Sequence, residues 1–184
     1  LLNSTIAGLG TADAVLLVGT NLRWEAPLVN TRLRKAWLQN GLRAASIGPG
    51  ADLTYPVDYL GAGPDTLAAV ADGSNAFSEV LRNAERGAII VGMGALARPD
   101  GAAILATARR IADDCVLVGD GWNGFNVLHT AASRVGGLDL GFTPGTSGRD
   151  TDGILDGASG GDIDVVYLLA ADEIDTERLG SVFL

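Results

Sequence analysis

Short apolar runs bounded by glycine alternate along this chain with segments in which apolar residues recur at helical spacing. Such alternation is typical of α/β proteins. The runs lack a polar–apolar alternation, which is expected of parallel strands that are buried on both faces. We predict strands at residues 14–18, 43–47, 57–60, 88–91, 115–118 and 165–169.

The helical segments have recognisable beginnings and ends. Pro27 suits the first turn of a helix, and Asn40-Gly41 suits its end. Pro99 and Asp100 indicate that another helix begins near residue 100. We predict helices at about 27–39, 65–71, 76–84, 100–112 and 125–135, whereas the glycine-rich residues 136–161 indicate a loop.

These elements together predict a single α/β unit over residues 1–184, built on a doubly wound, mainly parallel sheet with helices on both faces. The chain begins without methionine, and its last residues resemble the first half of another strand. We therefore expect a fragment of a longer polypeptide.

Composition excludes several classes of function. The net charge of −9 argues against a general nucleic-acid surface or an anionic-membrane surface. Apolar runs of about five residues are far shorter than the roughly 20 that cross a bilayer. One cysteine, Cys115, and one histidine, His129, are too few for a zinc or iron–sulfur site. We therefore expect no metal site. No nucleophile motif is present either, so we expect no catalytic residue here.

A glycine motif after the predicted strand at 88–91 is a candidate nucleotide site. Gly92, Gly94 and Ala97 match the G-x-G-x-x-A pattern, in which glycines let backbone amides approach a pyrophosphate. Asp120 follows the next predicted strand, where a ribose-binding acid would lie. The alternative is that the helix begins only near residue 100, so that the glycines belong to a longer turn.

The first predicted strand is followed by another candidate turn, Gly19-Thr20-Asn21, and then by a basic cluster. Five of the thirteen bases lie within 21 residues, and they are Arg23, Arg32, Arg34, Lys35 and Arg43. Such a cluster can hold a phosphate or an acidic partner, or it can be a solvated helix face with ion pairs. We favour a protein partner over a phosphate, because the bases are spread along a helix.

Several blocks of sequence resemble one known family. They comprise residues 12–21, 23–27, 32–35, 52–55, 101–106, 138–145 and 165–169, together with Asn30. The chain resembles the large iron–sulfur subunit of respiratory NADH:quinone oxidoreductase (complex I). Leu22 departs from the pattern, since proline is expected there.

The resemblance implies that the 4Fe-4S and 2Fe-2S clusters belong to an N-terminal region that this chain lacks. The C-terminal part of that subunit is similar to molybdopterin oxidoreductases such as formate dehydrogenase. In those enzymes a turn like Gly19–Asn21 and a turn like Gly63-Pro64-Asp65 hold the pterin nucleotide. Their Asp-Pro-Arg is Gly48-Pro49-Gly50 here. The resemblance therefore implies a vestigial cofactor site at Gly19, Asn21, Gly92 and Gly94.

The implied function is that of a scaffold without cofactor of its own, in an enzyme complex that passes electrons from NADH through iron–sulfur clusters to quinone. Other subunits of the peripheral arm would be its partners, with Arg32, Arg34 and Lys35 forming ion pairs across an interface. The implied location is the cytoplasmic face of a bacterial inner membrane, or the matrix side in mitochondria. The alternative is a domain of a formate dehydrogenase-like enzyme that still binds molybdopterin or a dinucleotide.

Overall fold

The computed structural model describes residues 2–171 and 174–180, without the side chain of Ala132. The strands are β1 (Ala14–Val18), β2 (Arg43–Ile47), β3 (Asp58–Gly61), β4 (Gly87–Val91), β5 (Val118–Gly119), β6 (Trp122–Asn123) and β7 (Phe125–Val127). The α-helices are α1 (Leu22–Glu25), α2 (Pro27–Asn40), α3 (Pro64–Asp72), α4 (Phe77–Arg82), α5 (Met93–Leu96), α6 (Gly101–Asp114), α7 (Ala132–Asp139) and α8 (Thr151–Ser159). Short 3-10 helices lie at Gly8–Thr11 and Thr176–Leu179.

Contacts group the chain into two compact units, Leu1–Ala132 and Ser133–Leu184. The first unit contains a five-stranded sheet in the order β3-β2-β1-β4-β7, and every pair of neighbouring strands is parallel. All five residues of β1 and all five of β4 are buried. The predicted α/β class with a mainly parallel sheet is thereby confirmed.

Helices cover both faces of this sheet. Val15 and Leu17 of β1 point to one face, where they belong to the same apolar cluster as the buried side of α2. Leu16 and Val18 belong to the cluster on the other face, which includes residues of α3, α4 and α6. The alternation of directions along β1 therefore builds two core layers from one apolar run.

The sequence correctly located the ends of α2. Pro27 occupies its first turn, and Gly41 ends it in the left-handed conformation with φ of 70°. The amide N–H of Gly41 donates to the Trp37 carbonyl over 3.2 Å, as expected of a glycine that closes a helix.

The strand predicted at 115–118 and the helix predicted at 125–135 are wrong. Cys115 caps the end of α6, and Val116 turns the chain with a φ of 53°. The chain then forms the β5–β6 hairpin, and Phe125–Val127 becomes the strand next to β4. This strand is held by Asn126, a fully buried residue whose side-chain amide donates to Ser4 Oγ over 3.0 Å.

The second unit contains the whole segment 136–161 that the sequence predicted as a loop, and this prediction is wrong at α8. Helix α8 forms there because the carboxylate of Asp150 caps it, accepting from the Gly153 N–H over 2.8 Å. Leu155 packs with Val166 and Leu179 in a small apolar cluster. Residues 165–169, predicted as the last strand, contribute no strand to the five-stranded sheet. No helix among the described residues has the length and apolar composition that a membrane crossing requires.

The loops after β1 and β4 pack backbone against backbone. Gly19 has a φ of 59°, and a Cβ there would lie 2.5 Å from the Cβ of Ala95. A Cβ on Gly92 or Gly94 would lie 2.6 or 2.7 Å from the Gly19 carbonyl oxygen. Glycine at these positions is therefore required by the close approach of the two loops.

Tyr55, in the segment after β2, is a polar side chain buried in the apolar cluster on the α2 face of the sheet. No described residue forms a hydrogen bond with its hydroxyl group. Burial raises the pKa of this phenol well above its ordinary value of 10.0, because the ionised form would lose its hydration.

Replacing Gly19 with alanine should destabilise the fold far more than the same change at Gly41. Both glycines have a positive φ, but a Cβ on Gly41 would meet no atom within 4 Å. We expect a loss of about 1–2 kcal/mol of unfolding free energy for Gly41→Ala and about 2–5 kcal/mol for Gly19→Ala. Urea denaturation measures both, and equal losses would contradict the close approach of the loops.

Replacing Tyr55 with phenylalanine should stabilise the protein at alkaline pH. The phenol ionises in the unfolded state near pH 10, whereas the folded state keeps it protonated, so stability falls as the pH rises above that value. The loss is about 1.4 kcal/mol per pH unit. Urea denaturation from pH 9 to 11 should show a shallower decline for Tyr55→Phe than for wild type. Tyr59→Phe, which removes an exposed hydroxyl, is the control, and identical declines for all three proteins would contradict the burial of Tyr55.

Candidate functional site

The loops after β1, β2 and β3 meet at the carboxyl edge of the sheet, together with the segment from α5 to α6. Strand order reverses between β1 and β4, and open α/β sheets bind ligands at such a switch point. A cleft of about 290 Å³ lies there, and we call it the switch-point cleft. Its lining consists of Gly19, Gly48, Pro49, Gly63, Leu67, Gly94, Arg98 and neighbouring apolar residues. The structure thus brings Gly19 and Gly94 together, because both follow parallel strands that end at this edge.

The lining of the switch-point cleft is mainly apolar. Arg98 is the one ionisable residue that the described part of the chain contributes to it, and its guanidinium forms two hydrogen bonds with Asp100, over 2.7 and 2.9 Å. These bonds lower the pKa of the Asp100 carboxyl, because they favour its ionised form. The arginine charge is therefore already compensated within the chain. The cleft volume also lies at the lower limit of the roughly 300–1,000 Å³ typical of small-molecule pockets.

The turn after β1 uses its hydrogen-bond donors within the chain. The amide N–H of Asn21 donates to Glu25 Oε1 over 2.6 Å, and the Thr20 hydroxyl donates to Glu25 Oε2 over 2.9 Å. The side chain of Asn21 caps α1 by accepting from the Arg23 N–H over 3.2 Å. A carboxylate of the chain itself thus accepts two of the hydrogen bonds that this turn can donate. From the sequence Glu25 was given no role at this turn, although it lies four residues, about one helical turn, after Asn21.

The turn after β4 agrees with the alternative in which the long helix begins only near residue 100 and the glycines precede it. Helix α5 is a single turn, and the long helix α6 begins only at Gly101. The amide N–H of Gly92 donates to the Val18 carbonyl over 2.9 Å, which ties this turn to β1. Gly92 and Gly94 therefore contribute to backbone packing between the two loops.

Asp120 does not lie near these glycines in the fold. It occupies the turn of the β5–β6 hairpin, beside Trp122, whose indole N–H donates to the Gly87 carbonyl over 2.8 Å. Gly87 is the first residue of β4, so this hairpin lies at the amino edge of the sheet. The predicted ribose-binding role of Asp120 is wrong because its predicted strand does not exist.

A pterin nucleotide is poorly matched by the residues of this edge. The turn at 63–65 is present, with Gly63 at the start of α3 and Pro64 in its first turn. Pro49 and Gly50 lie beside Gly19 and Asn21 in a second hollow of about 200 Å³, and neither has a side chain that can form a hydrogen bond. With Glu25 in the same hollow, a phosphate would meet a negative charge in place of a free donor.

The basic cluster separates into two groups. Arg23 forms a salt bridge with Asp52 over 2.9 Å, and Arg43 forms one with Asp58 over 3.4 Å. Arg32, Arg34 and Lys35 lie on α2, and no carboxylate in the described part of the chain forms a salt bridge with them. These three bases do not line the switch-point cleft.

The described residues contain no group of three or more histidine, cysteine, aspartate or glutamate side chains that could hold a metal ion. Cys115 is buried at the end of α6, and burial raises the pKa of its thiol. This thiol therefore has the environment of a core residue.

Comparisons with known proteins agree with this architecture. The model of the molybdopterin oxidoreductase family matches residues 1–182. The chain is 41% identical over 185 residues to a subunit of the NADH-quinone oxidoreductase of Rickettsia bellii, covering 100% of the chain and 25% of that protein. It is 38% identical over 179 residues to the mitochondrial NADH dehydrogenase [ubiquinone] iron-sulfur protein 1 of Solanum tuberosum, covering 97% and 23%.

A third relative is the NADH-ubiquinone oxidoreductase 75 kDa subunit of Reclinomonas americana, which is 38% identical over 182 residues, covering 99% of the chain and 26% of that protein. The chain thus spans about a quarter of the length of these relatives, and the predicted resemblance to the large iron–sulfur subunit is confirmed. Because the family model extends over almost every residue, the chain belongs to the molybdopterin oxidoreductase family.

Proposed function

We propose that this chain is a scaffold domain, without redox chemistry of its own, in the large iron–sulfur subunit of an NADH:quinone oxidoreductase. The relatives that match nearly its whole length are subunits of such enzymes. The observation that carries the scaffold role is the carboxylate of Glu25, which accepts from both Thr20 and Asn21 at the turn where a cofactor would bind.

The complete enzyme would transfer electrons from NADH through 4Fe-4S and 2Fe-2S clusters to quinone. Parts of the subunit outside this chain would hold the clusters, while residues 1–184 form part of a larger molybdopterin-oxidoreductase-like domain. The name of the Solanum tuberosum relative, an iron-sulfur protein, supports this division. The partners would be other subunits of the peripheral arm, on the cytoplasmic face of a bacterial inner membrane or the matrix side in mitochondria.

The site at Gly19, Asn21, Gly92 and Gly94 would be a vestige of a cofactor site. Its glycines join two loops, and its donors serve the chain itself. The three bases Arg32, Arg34 and Lys35 would form ion pairs with a neighbouring subunit or domain. The alternative, a formate dehydrogenase-like domain that retains molybdopterin or a dinucleotide, has less support, because Arg98, the charged residue of the cleft, is already paired.

Native mass spectrometry tests the vestigial site. We expect the purified protein to have the same mass under native and denaturing conditions, because no described residue of the cleft offers a free charged donor to a phosphate. A known molybdopterin enzyme, prepared in parallel, is the control for cofactor survival. An adduct of a few hundred daltons or more that is lost on denaturation would contradict the scaffold role.

The variant Glu25→Ala distinguishes a site from which Glu25 excludes a cofactor from a site that can no longer bind one. Removing the carboxylate frees the Asn21 N–H and the Thr20 hydroxyl, at a cost of about 1 kcal/mol in stability. We expect no nucleotide adduct in this variant either, because the arginine and the glycine contacts are unchanged. A retained adduct in Glu25→Ala alone would show that Glu25 excludes a cofactor from an otherwise competent site.

A further inference from the structure

The outward side of α2 forms a surface that the fold itself does not use. Leu28, Thr31, Lys35 and Leu38 recur at intervals of three, four and three residues, and Arg34 flanks them. Residues at such spacing share one side of a helix. We call these five residues the α2 outer face. All five are exposed, whereas Val29, Leu33 and Ala36 on the opposite side of the helix are buried.

This surface is unusually apolar for the solvent side of a helix. The exposed fractions are 68% for Leu28 and 64% for Leu38. Trp24, on the preceding helix α1, has an exposed fraction of 81%. Single exposed leucines are ordinary, but two exposed leucines with two bases on one side of a helix have the composition of a protein interface.

The charges of this surface lack acidic partners in the described part of the fold. Helix α2 contains no acidic residue, and no described carboxylate forms a salt bridge with Arg34 or Lys35. The chain as a whole has a net charge of −9, so acidic residues are abundant elsewhere. A partner would thus meet a small basic surface on an acidic protein.

Helix α6, on the other side of the sheet, provides an internal comparison. Its Arg109 forms a salt bridge with Asp113 over 2.8 Å, and its Arg110 forms one with Asp114 over 4.0 Å. These exposed bases have carboxylates four residues away on the same helix, as solvent-facing helices commonly do. The two helices have the same length, so the difference lies in what surrounds their outward bases.

A groove beside α2 adds shape to this surface. It has a volume of about 490 Å³ and lies between the helix and Thr54, with Arg34, Lys35 and Leu38 in its lining. The guanidinium of Arg34 donates to Thr54 Oγ1 over 3.4 Å, which holds the arginine at the rim of the groove. A carboxylate entering this groove would therefore meet both bases beside an apolar side chain.

We propose that the α2 outer face docks an acidic protein surface with apolar residues, which belongs to a different polypeptide of the same assembly. The partner's carboxylates pair with Arg34 and Lys35, and its apolar residues cover Leu28 and Leu38. This inference rests on the proposed function, which supplies the assembly. A contact between the α2 outer faces of two copies does not fit, because α2 contains no carboxylate that could pair with the bases of the other copy.

Lys35 allows a direct test, because it is the one lysine of this sequence. The assembled enzyme containing the full-length polypeptide is treated with a water-soluble carbodiimide, which joins an amine to a carboxylate already in contact with it. We expect peptide mass spectrometry to find Lys35 linked through an amide bond to an aspartate or glutamate of another subunit. Lys35 found unlinked, or linked only to its own polypeptide or to a second copy, would overturn the proposal.

A matched pair of double variants tests the energetic role of the bases. Arg34→Gln with Lys35→Gln and Arg109→Gln with Arg110→Gln each remove two exposed positive charges from a helix. In the full-length polypeptide we expect the α2 pair to lower its content in the purified assembly at least about tenfold. The α6 pair should change that content by less than about twofold. Equal losses for the two pairs would contradict docking through α2.

Two further measurements keep the outcomes distinct. The melting temperature of both double variants is compared with that of the wild type. A loss of assembly supports docking only where the melting temperature is unchanged. A lowered melting temperature in the α2 pair alone would indicate a structural role for these bases and overturn the proposal. If the polypeptide co-assembles with no NADH:quinone oxidoreductase subunit, while Lys35 is linked to an acidic protein of another kind, the proposed function fails and the docking inference stands. If the complete enzyme assembles and Lys35 stays unlinked, the proposed function stands and the docking inference fails.

Discussion

The burial of β1 on both faces and along both edges is the constraint on which the rest of the first unit depends. Its five residues pair in parallel with β2 on one side and β4 on the other, and all of them are buried. Parallel neighbours require crossover connections, and two apolar faces require helices on each side. Helices α2 and α6 therefore lie on opposite faces, and the loops that follow the strands gather at one edge.

Much of this unit could be predicted from the sequence because its signals are local. The apolar run of β1, the proline and glycine at the ends of α2, and the late start of α6 are all visible in short windows. The region from 115 to 127 is different, because its Cys-Val-Leu-Val run suits a buried strand as well as it suits the structure that actually forms. Its structure depends on contacts with residues far away in sequence, such as that between Asn126 and Ser4, and no local pattern contains them.

From the sequence, the candidate site could be located only as turns that follow apolar strands. Gly19 and Asn21 do lie at the switch point, because the ends of parallel strands must meet there. A glycine, however, permits the close approach of a phosphate and the close approach of another backbone equally well. A Cβ added to Gly19 would lie 2.5 Å from the Cβ of Ala95, which shows the close approach of another backbone, and a sequence does not contain this distance. The contact of Glu25 with Asn21 likewise depends on a one-turn helix that the sequence analysis did not predict.

The separation between the core and the edge explains how such a fold can serve as a scaffold. The two apolar clusters are built from the inner faces of strands and helices, and they contain almost none of the polar atoms at the switch point. A change in the chemistry of that edge would therefore leave the core intact. The outward sides of the helices are equally independent of the core. The outward bases and exposed leucines of α2 belong to neither apolar cluster, so a contact with another molecule there would leave the core undisturbed.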